Sequence, residues 1–246
     1  MPPSPSARQF ASKGSQRWLQ VAVDRAPELL DTPIKSALKL SASTQIEWLS
    51  PLRTERFVEY RDSATFTRFN VALPKRSLPD FWPSGGPMWD GLAKTSTSDY
   101  LLVEAKAHIP EIVSPRTRAS EPAKGRILKS IREVQQDLAP KSVGSVDWTN
   151  TFYQYTNRIA HLHFLRQQNG IRAHLVNVYF TNATDVGGPT EQKEWEAAIK
   201  VVECYLGLGR HKLGKFSHKI FVDAAPLAAL ADEAASSQPA SAAQVS

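Results

Sequence analysis

Between Tyr100 and Ile109 the chain reads Tyr-Leu-Leu-Val-Glu-Ala-Lys-Ala-His-Ile, too apolar for a surface segment and too charged to be buried without partners. Successive side chains of a strand point to opposite faces, so Leu101, Val103, Ala105, Ala107 and Ile109 are expected on one face and Glu104, Lys106 and His108 on the other. The first set goes into apolar packing. In the second set, a carboxylate and an ammonium two residues apart are costly to bury unless they pair or bind an ion. Gly86-Pro87-Met88-Trp89-Asp90 comes just before, and the short polar loop from Lys94 to Ser98 predicts a hairpin that brings the Asp90 carboxylate beside Glu104. An acid, followed on the next strand by acid-x-lysine, can hold a divalent cation and activate a water. Asp90, Glu104 and Lys106 are therefore the candidate catalytic residues of a metal-dependent site.

These residues resemble the PD-(D/E)XK nuclease superfamily, with Asp90 as the lone acid and Glu104-Ala105-Lys106 as the E-x-K. Trp89 stands where that family often has Pro, and Pro87 lies three residues before the acid. The resemblance implies an α/β restriction-endonuclease-like fold, a central mixed β-sheet flanked by helices. It also implies hydrolysis of a phosphodiester in nucleic acid, DNA before RNA. Asp90, Glu104 and the Ala105 carbonyl would bind Mg²⁺ or Mn²⁺, hard cations that prefer oxygen donors. Lys106 would orient the attacking water or stabilise charge in the transition state.

Other segments add candidate binding residues. A helix is predicted from Asn150 to Gln168, apolar around most of its circumference, with Gly170 as its C-cap. Gln154, Asn157, Arg158 and His161 recur on it at i, i+3, i+4 and i+7, a polar stripe about 100° wide. Such a stripe faces a ligand cleft or ordinary solvent. In the recombination-nuclease branch of the superfamily the matching helix carries Gln-x-x-x-Tyr near the substrate; Gln154 matches its first position and Arg158 replaces the Tyr. Gln154, Arg158 and His161 are thus candidate nucleic-acid contacts. Arg116, Arg118, Lys124, Arg126, Lys129 and Arg132 share a segment opposed only by Glu121. That segment suits phosphate binding, through Arg126 and Lys129 among others, or equally a solvated helix face. Lys13-Gly14-Ser15-Gln16-Arg17 is similar to the start of junction-resolving nucleases, with Gln16 in the acid position, and Glu47 is a possible third carboxylate that reads more simply as a surface residue.

Length and pattern organise the remainder. The 246 residues suit one domain, placed at 12–223, after a Pro/Ser-rich disordered segment 1–11 and before an Ala/Ser-rich disordered tail 224–246. Helices are expected from Ser12 to Pro27, from Ile34 to Leu40 with Thr32-Pro33 as cap and first position, and from Glu121 to Leu138. Another, capped by Thr190, carries Trp195, Ile199, Val202 and Leu206 in register and stops at Gly207. Strands are expected at Gln45–Leu49, at Ile171–Thr181 in mid-sheet, and at Lys219–Asp223. Residues 62–69 fit a helix capped by Asp62 or a strand.

Several classes of function are excluded or weakened. Cys204 is the single cysteine, so no intramolecular disulfide forms; with no secretory signal and no apolar run of transmembrane length, a cytoplasmic protein without a membrane partner is expected. Oligomeric state is not legible. No Cys/His zinc spacing, P-loop or dinucleotide fingerprint is present, and His161 and His163 point apart on a helix. The alternative to an enzyme is a nucleic-acid binder that keeps the fold without turnover.

Overall fold

The computed structural model describes residues 10–236. Five strands form one mixed open sheet in the order β1 (Ile46–Ser50), β2 (Gly91–Thr95), β3 (Tyr100–Lys106), β4 (Ala173–Thr181) and β5 (Ser217–Asp223). The first three pair antiparallel; β3, β4 and β5 run parallel. Parallel neighbours need crossovers, supplied by α5 (Ala123–Leu138) and α6 (Tyr153–His163) between β3 and β4, and by α7 (Gln192–Leu206) between β4 and β5. An α/β architecture with a mixed sheet flanked by helices is thus present as the sequence predicts.

Both sheet faces are covered, which explains the nearly continuous apolar run in β4. Leu101, Val103, Ala105 and Ala107 pack with Val176, Val178 and Phe180 beneath α1 (Gly14–Arg25), α2 (Glu28–Leu38) and α8 (Leu227–Ser236). Leu102, Leu175 and Tyr179 face the other layer, built from α5, α6, α7, α3 (Asp62–Phe69) and α4 (Leu78–Phe81). The alternation along β3 therefore holds to its end. Ile109 departs from it: the strand gives way to a 3₁₀ turn, Ile109–Ile112, and Ile109 packs on the opposite layer.

Several boundaries differ from expectation. Folded structure begins before residue 12, because the Phe10 ring packs at a tilt against Phe57 with centroids 5.7 Å apart and the Ala11 N–H donates to Gln20; residues 1–9 of the expected disordered segment lie outside the described part. Helix α2 starts at Glu28, with Pro33 inside it, so Thr32 is not a cap; one lost backbone hydrogen bond is outweighed by burial of Leu30 and Ile34. The ambiguous 62–69 segment is helical, and the Asp62 carboxylate accepts instead from the Gly85 and Gly86 amides. Glu191, not Thr190, caps α7 in a reciprocal capping box with Glu194. The expected disordered tail is helical up to Ser236, since Leu227, Ala231 and Ala234, spaced for one helix face, are buried; 237–246 lie outside the described residues. Helix α6 ends at His163 and continues as a π-helical turn, Phe164–Gln168, before Gly170 at φ +70° reverses the chain.

Candidate active site

Strand β2 stops pairing at Gly91, opposite Val103. The next N–H and C=O of β3 on that side belong to Ala105 and have no strand partner. The Asp90 carboxylate, in the bend just before β2, fills the gap by accepting the Ala105 N–H at 2.8 Å. The Lys106 ammonium donates to the Ala105 carbonyl at 3.2 Å and also to Glu104 Oε1. Glu104 Oε2 accepts from Arg158 Nε at 2.6 Å, and another guanidinium nitrogen of Arg158 donates to the Met88 carbonyl at 2.8 Å. Arg158 thus ties β3 to the approach to Asp90 and lies over the Trp89 ring at 4.9 Å. Asp90, Glu104 and Lys106 come together here, with Asp90 in the bend before β2 rather than on the strand itself, and the two acids bordering different hollows.

Charge at this junction is unevenly settled. Asp90 is half-buried at the edge of a cleft, and lost solvation, with the Glu104 charge adding to it, pushes its carboxyl up to about 7. Burial would raise Glu104 too, but Arg158 and Lys106 outweigh it and hold that carboxyl below its ordinary range. Burial would lower the Lys106 ammonium; the two carboxylates overcome this and raise it. The outcome is an ionised, doubly paired Glu104 beside an Asp90 poised to gain or lose a proton near neutrality.

Among the described residues no group of three or more His, Cys, Asp or Glu side chains could hold a metal ion. The oxygen donors at this point are Asp90, Glu104 and the Ala105 carbonyl. A cation already sits on two of them, because the Lys106 ammonium contacts both Glu104 Oε1 and the Ala105 oxygen. This donor set suits a hard divalent ion, which is commonly held by one or two carboxylates with waters completing the shell.

Two hollows meet at Lys106. An open cleft of about 570 Å³ runs past Asp90, Glu111, Arg116, Arg118, Gln154 and Asn157. A much smaller one, about 20 Å³, lies behind Glu104 between Arg158, Asn177 and Tyr179. Gln154, half-buried at the start of α6, borders both. The predicted polar stripe therefore leads inward from the cleft. Arg158 and His161 are only 5 % exposed each, so neither is a surface contact for nucleic acid. Arg158 is committed to Glu104. His161 is ringed by Phe81, Trp82 and Trp89, gives Nδ1 to the Asn157 carbonyl, and is kept neutral by burial, at about 3. Arg126 and Lys129 are exposed on α5 away from the cleft; Arg126 donates to the Pro79 carbonyl, and Lys129 borders a separate groove with Arg132 and Asp147. Glu47 pairs with Lys94 across β1 and β2 at 3.0 Å, the surface role expected of it. Cys204 is exposed.

Three residues at or near the site are not evident from the sequence. Asn177 is paired in register with Glu104 on β4, hidden inside the apolar run that marks the strand. Glu111 lines the cleft and accepts from the Ala107 amide and the Ser15 hydroxyl; its position in Ile-Pro-Glu-Ile directly after β3 is a signal that could have been read. Glu59 receives the Gln16 amide at 2.6 Å, and its neighbour Tyr60 bridges to Trp89. A carboxylate thus stands beside Gln16 after all, brought from a different segment. Compared with protein-family models, with curated proteins and with solved structures, the chain matches none.

Proposed function

We propose that the chain is a metal-dependent nuclease of the PD-(D/E)XK type, with a restriction-endonuclease-like arrangement of its sheet and DNA as the favoured substrate over RNA. The observation carrying this reading is the half-buried Asp90 carboxylate, raised to about 7, set beside the Glu104–Lys106 pair where β2 leaves β3 open to a cleft. Bound Mg²⁺ or Mn²⁺, held by Asp90, Glu104 and the Ala105 carbonyl, would supply Lewis-acid neutralisation of phosphate charge and a more acidic water. Asp90 can hold or release a proton at its carboxylate near neutral pH. Lys106 places a fixed positive charge beside the attacked phosphorus, where negative charge grows as water adds and the P–O bond to the leaving group breaks. Arg158 keeps Glu104 ionised and fixed in direction.

One observation favours the non-catalytic binder: both Glu104 oxygens already have cationic partners, so the site is electrically satisfied by the chain itself. Cleavage of labelled single- and double-stranded DNA and RNA with Mg²⁺ or Mn²⁺, by wild type and Asp90→Ala, separates the two. Cleavage by wild type that is lost in Asp90→Ala supports the enzyme. Salt-dependent binding without cleavage supports the binder, and neither binding nor cleavage removes both readings.

A further inference from the structure

The cations of this chain differ sharply in how they are used. Lys106 and Arg158 are paired with Glu104, Lys94 with Glu47, Lys219 with Glu203, and Arg126 with a backbone carbonyl. Arg116 and Arg118 are exposed, line the same cleft as Asp90 and Lys106, and have no ion-pair or hydrogen-bond partner among the described residues. Glu111, the other acid of that cleft, has one oxygen on the Ala107 amide and the other on the Ser15 hydroxyl.

The segment bearing the two arginines is pinned. The Ser114 N–H donates to the Thr151 carbonyl at 2.8 Å, the Ser114 hydroxyl receives the Gln154 N–H at 2.8 Å, and the Thr117 N–H reaches the Thr149 carbonyl at 3.4 Å. Both guanidiniums therefore stand on a support fixed to the start of α6. Asn157, 7 % exposed, borders the cleft, and its side-chain oxygen is buried without a partner among the described residues. Planar guanidinium forks match phosphate oxygens, and cations that no carboxylate among the described residues holds are free to take them.

We infer that segment 113–118 is a backbone-docking rail, on which Arg116 and Arg118 take the phosphates flanking the linkage presented to Asp90 and Lys106. This rests on the nuclease reading and moves nucleic-acid contact from α5 to the edge of the site. Asn157 and Gln154 supply neutral polar contacts to the sugar or base between those phosphates.

The test is fluorescence anisotropy of a fluorescein-labelled single-stranded oligodeoxynucleotide over a salt series without divalent metal, using the full chain. Wild type is compared with Arg116→Ala/Arg118→Ala and with Arg126→Ala/Lys129→Ala. Losing two phosphate contacts should reduce the slope of log K against log salt by about 1.4 and weaken low-salt binding roughly 10- to 100-fold. The α5 pair should leave the slope unchanged. Wild-type binding with an unaltered slope in Arg116→Ala/Arg118→Ala overturns the rail while leaving the nuclease reading intact. Equal competition by inorganic polyphosphate overturns the assignment to nucleic acid. Absence of any wild-type binding overturns both readings. All substituted side chains are exposed, and matching thermal melts will show that each variant folds.

Discussion

The carboxylate of Asp90 accepts the backbone N–H of Ala105 at 2.8 Å, so the lone acid is fastened to the middle residue of the Glu104-Ala105-Lys106 triplet. This bond takes the place of the ladder bond that β2 would have made had it continued. It sets the Asp90 side chain next to Glu104 with no salt bridge of its own among the described residues, and the electrostatic consequences can be measured.

Asp90→Asn should stabilise the fold at pH 8. The folded carboxyl sits at about 7 against an ordinary 3.8, so its contribution to stability is fully present below about pH 4 and lost as pH rises through 7. At pH 8 wild type bears the whole cost of a poorly solvated carboxylate, of the order of 2–4 kcal/mol. Urea midpoints should rise in Asp90→Asn at pH 8, and the gain should shrink steadily toward pH 4. A variant no more stable than wild type at pH 8 would show that Asp90 is comfortably ionised.

Three histidines, His161 buried and His174 and His218 half-buried, act in the opposite direction. Burial keeps His161 at about 3 and His174 and His218 at about 4, all below 6.5. Their contribution is present above 6.5 and lost as pH falls, because the unfolded chain takes up protons that the folded chain refuses. Stability should therefore fall between pH 6.5 and 4, more steeply in Asp90→Asn, where the opposing carboxyl is gone. His161→Ala should cost roughly 2–4 kcal/mol, as for other large-to-small core changes, without altering nucleic-acid affinity per folded molecule. Full stability with weakened binding would return His161 to the surface role.

Removing Arg158 strips a buried carboxylate of one of its two cations and also frees the Met88 carbonyl. Arg158→Ala should lower stability by roughly 3–5 kcal/mol. Arg158→Lys should recover only part of this, since an ammonium cannot reproduce the fork that spans Glu104 and Met88. Chemical denaturation of the two variants checks the order; equal stability of Arg158→Ala and wild type would contradict it.

Lys106→Met probes the cation that occupies the oxygen donors. With its ammonium gone from Glu104 Oε1 and the Ala105 carbonyl, Mn²⁺ should bind more tightly by titration calorimetry. Metal-dependent cleavage should nevertheless fall by roughly 10²–10³, because the lost charge serves the transition state. Weaker Mn²⁺ binding in Lys106→Met would mean that Asp90, Glu104 and the Ala105 oxygen are not the metal's ligands.

What could be read without the fold is whatever depends on local period. Alternation along Tyr100–Lys106 sorts Leu101, Val103 and Ala105 from Glu104 and Lys106, because a strand repeats every two residues wherever it is placed. The spacing of Trp195, Ile199, Val202 and Leu206, closed by Gly207, marks α7 for the same reason. The hairpin from Asp90 to Lys106 is short enough that its turn settles its own pairing. By contrast, the stripe Gln154–Asn157–Arg158–His161 gives no sign of which end meets solvent; the packing of α6 on the sheet decides this, burying His161 and leaving Gln154 at the cleft. The partners of Arg158 and Gln16, Glu104 and Glu59, lie far away in the chain and are joined only when the layers close. Helix α8 is likewise invisible until α1 and the core beneath it offer a surface for Leu227 and Ala231, because a run of small residues buries too little to declare itself. The sequence alone determined the identity and spacing of the charged groups on β3; tertiary packing decided which of them neutralise one another and which remain open to a ligand, since burial and pairing are properties of neighbours in space.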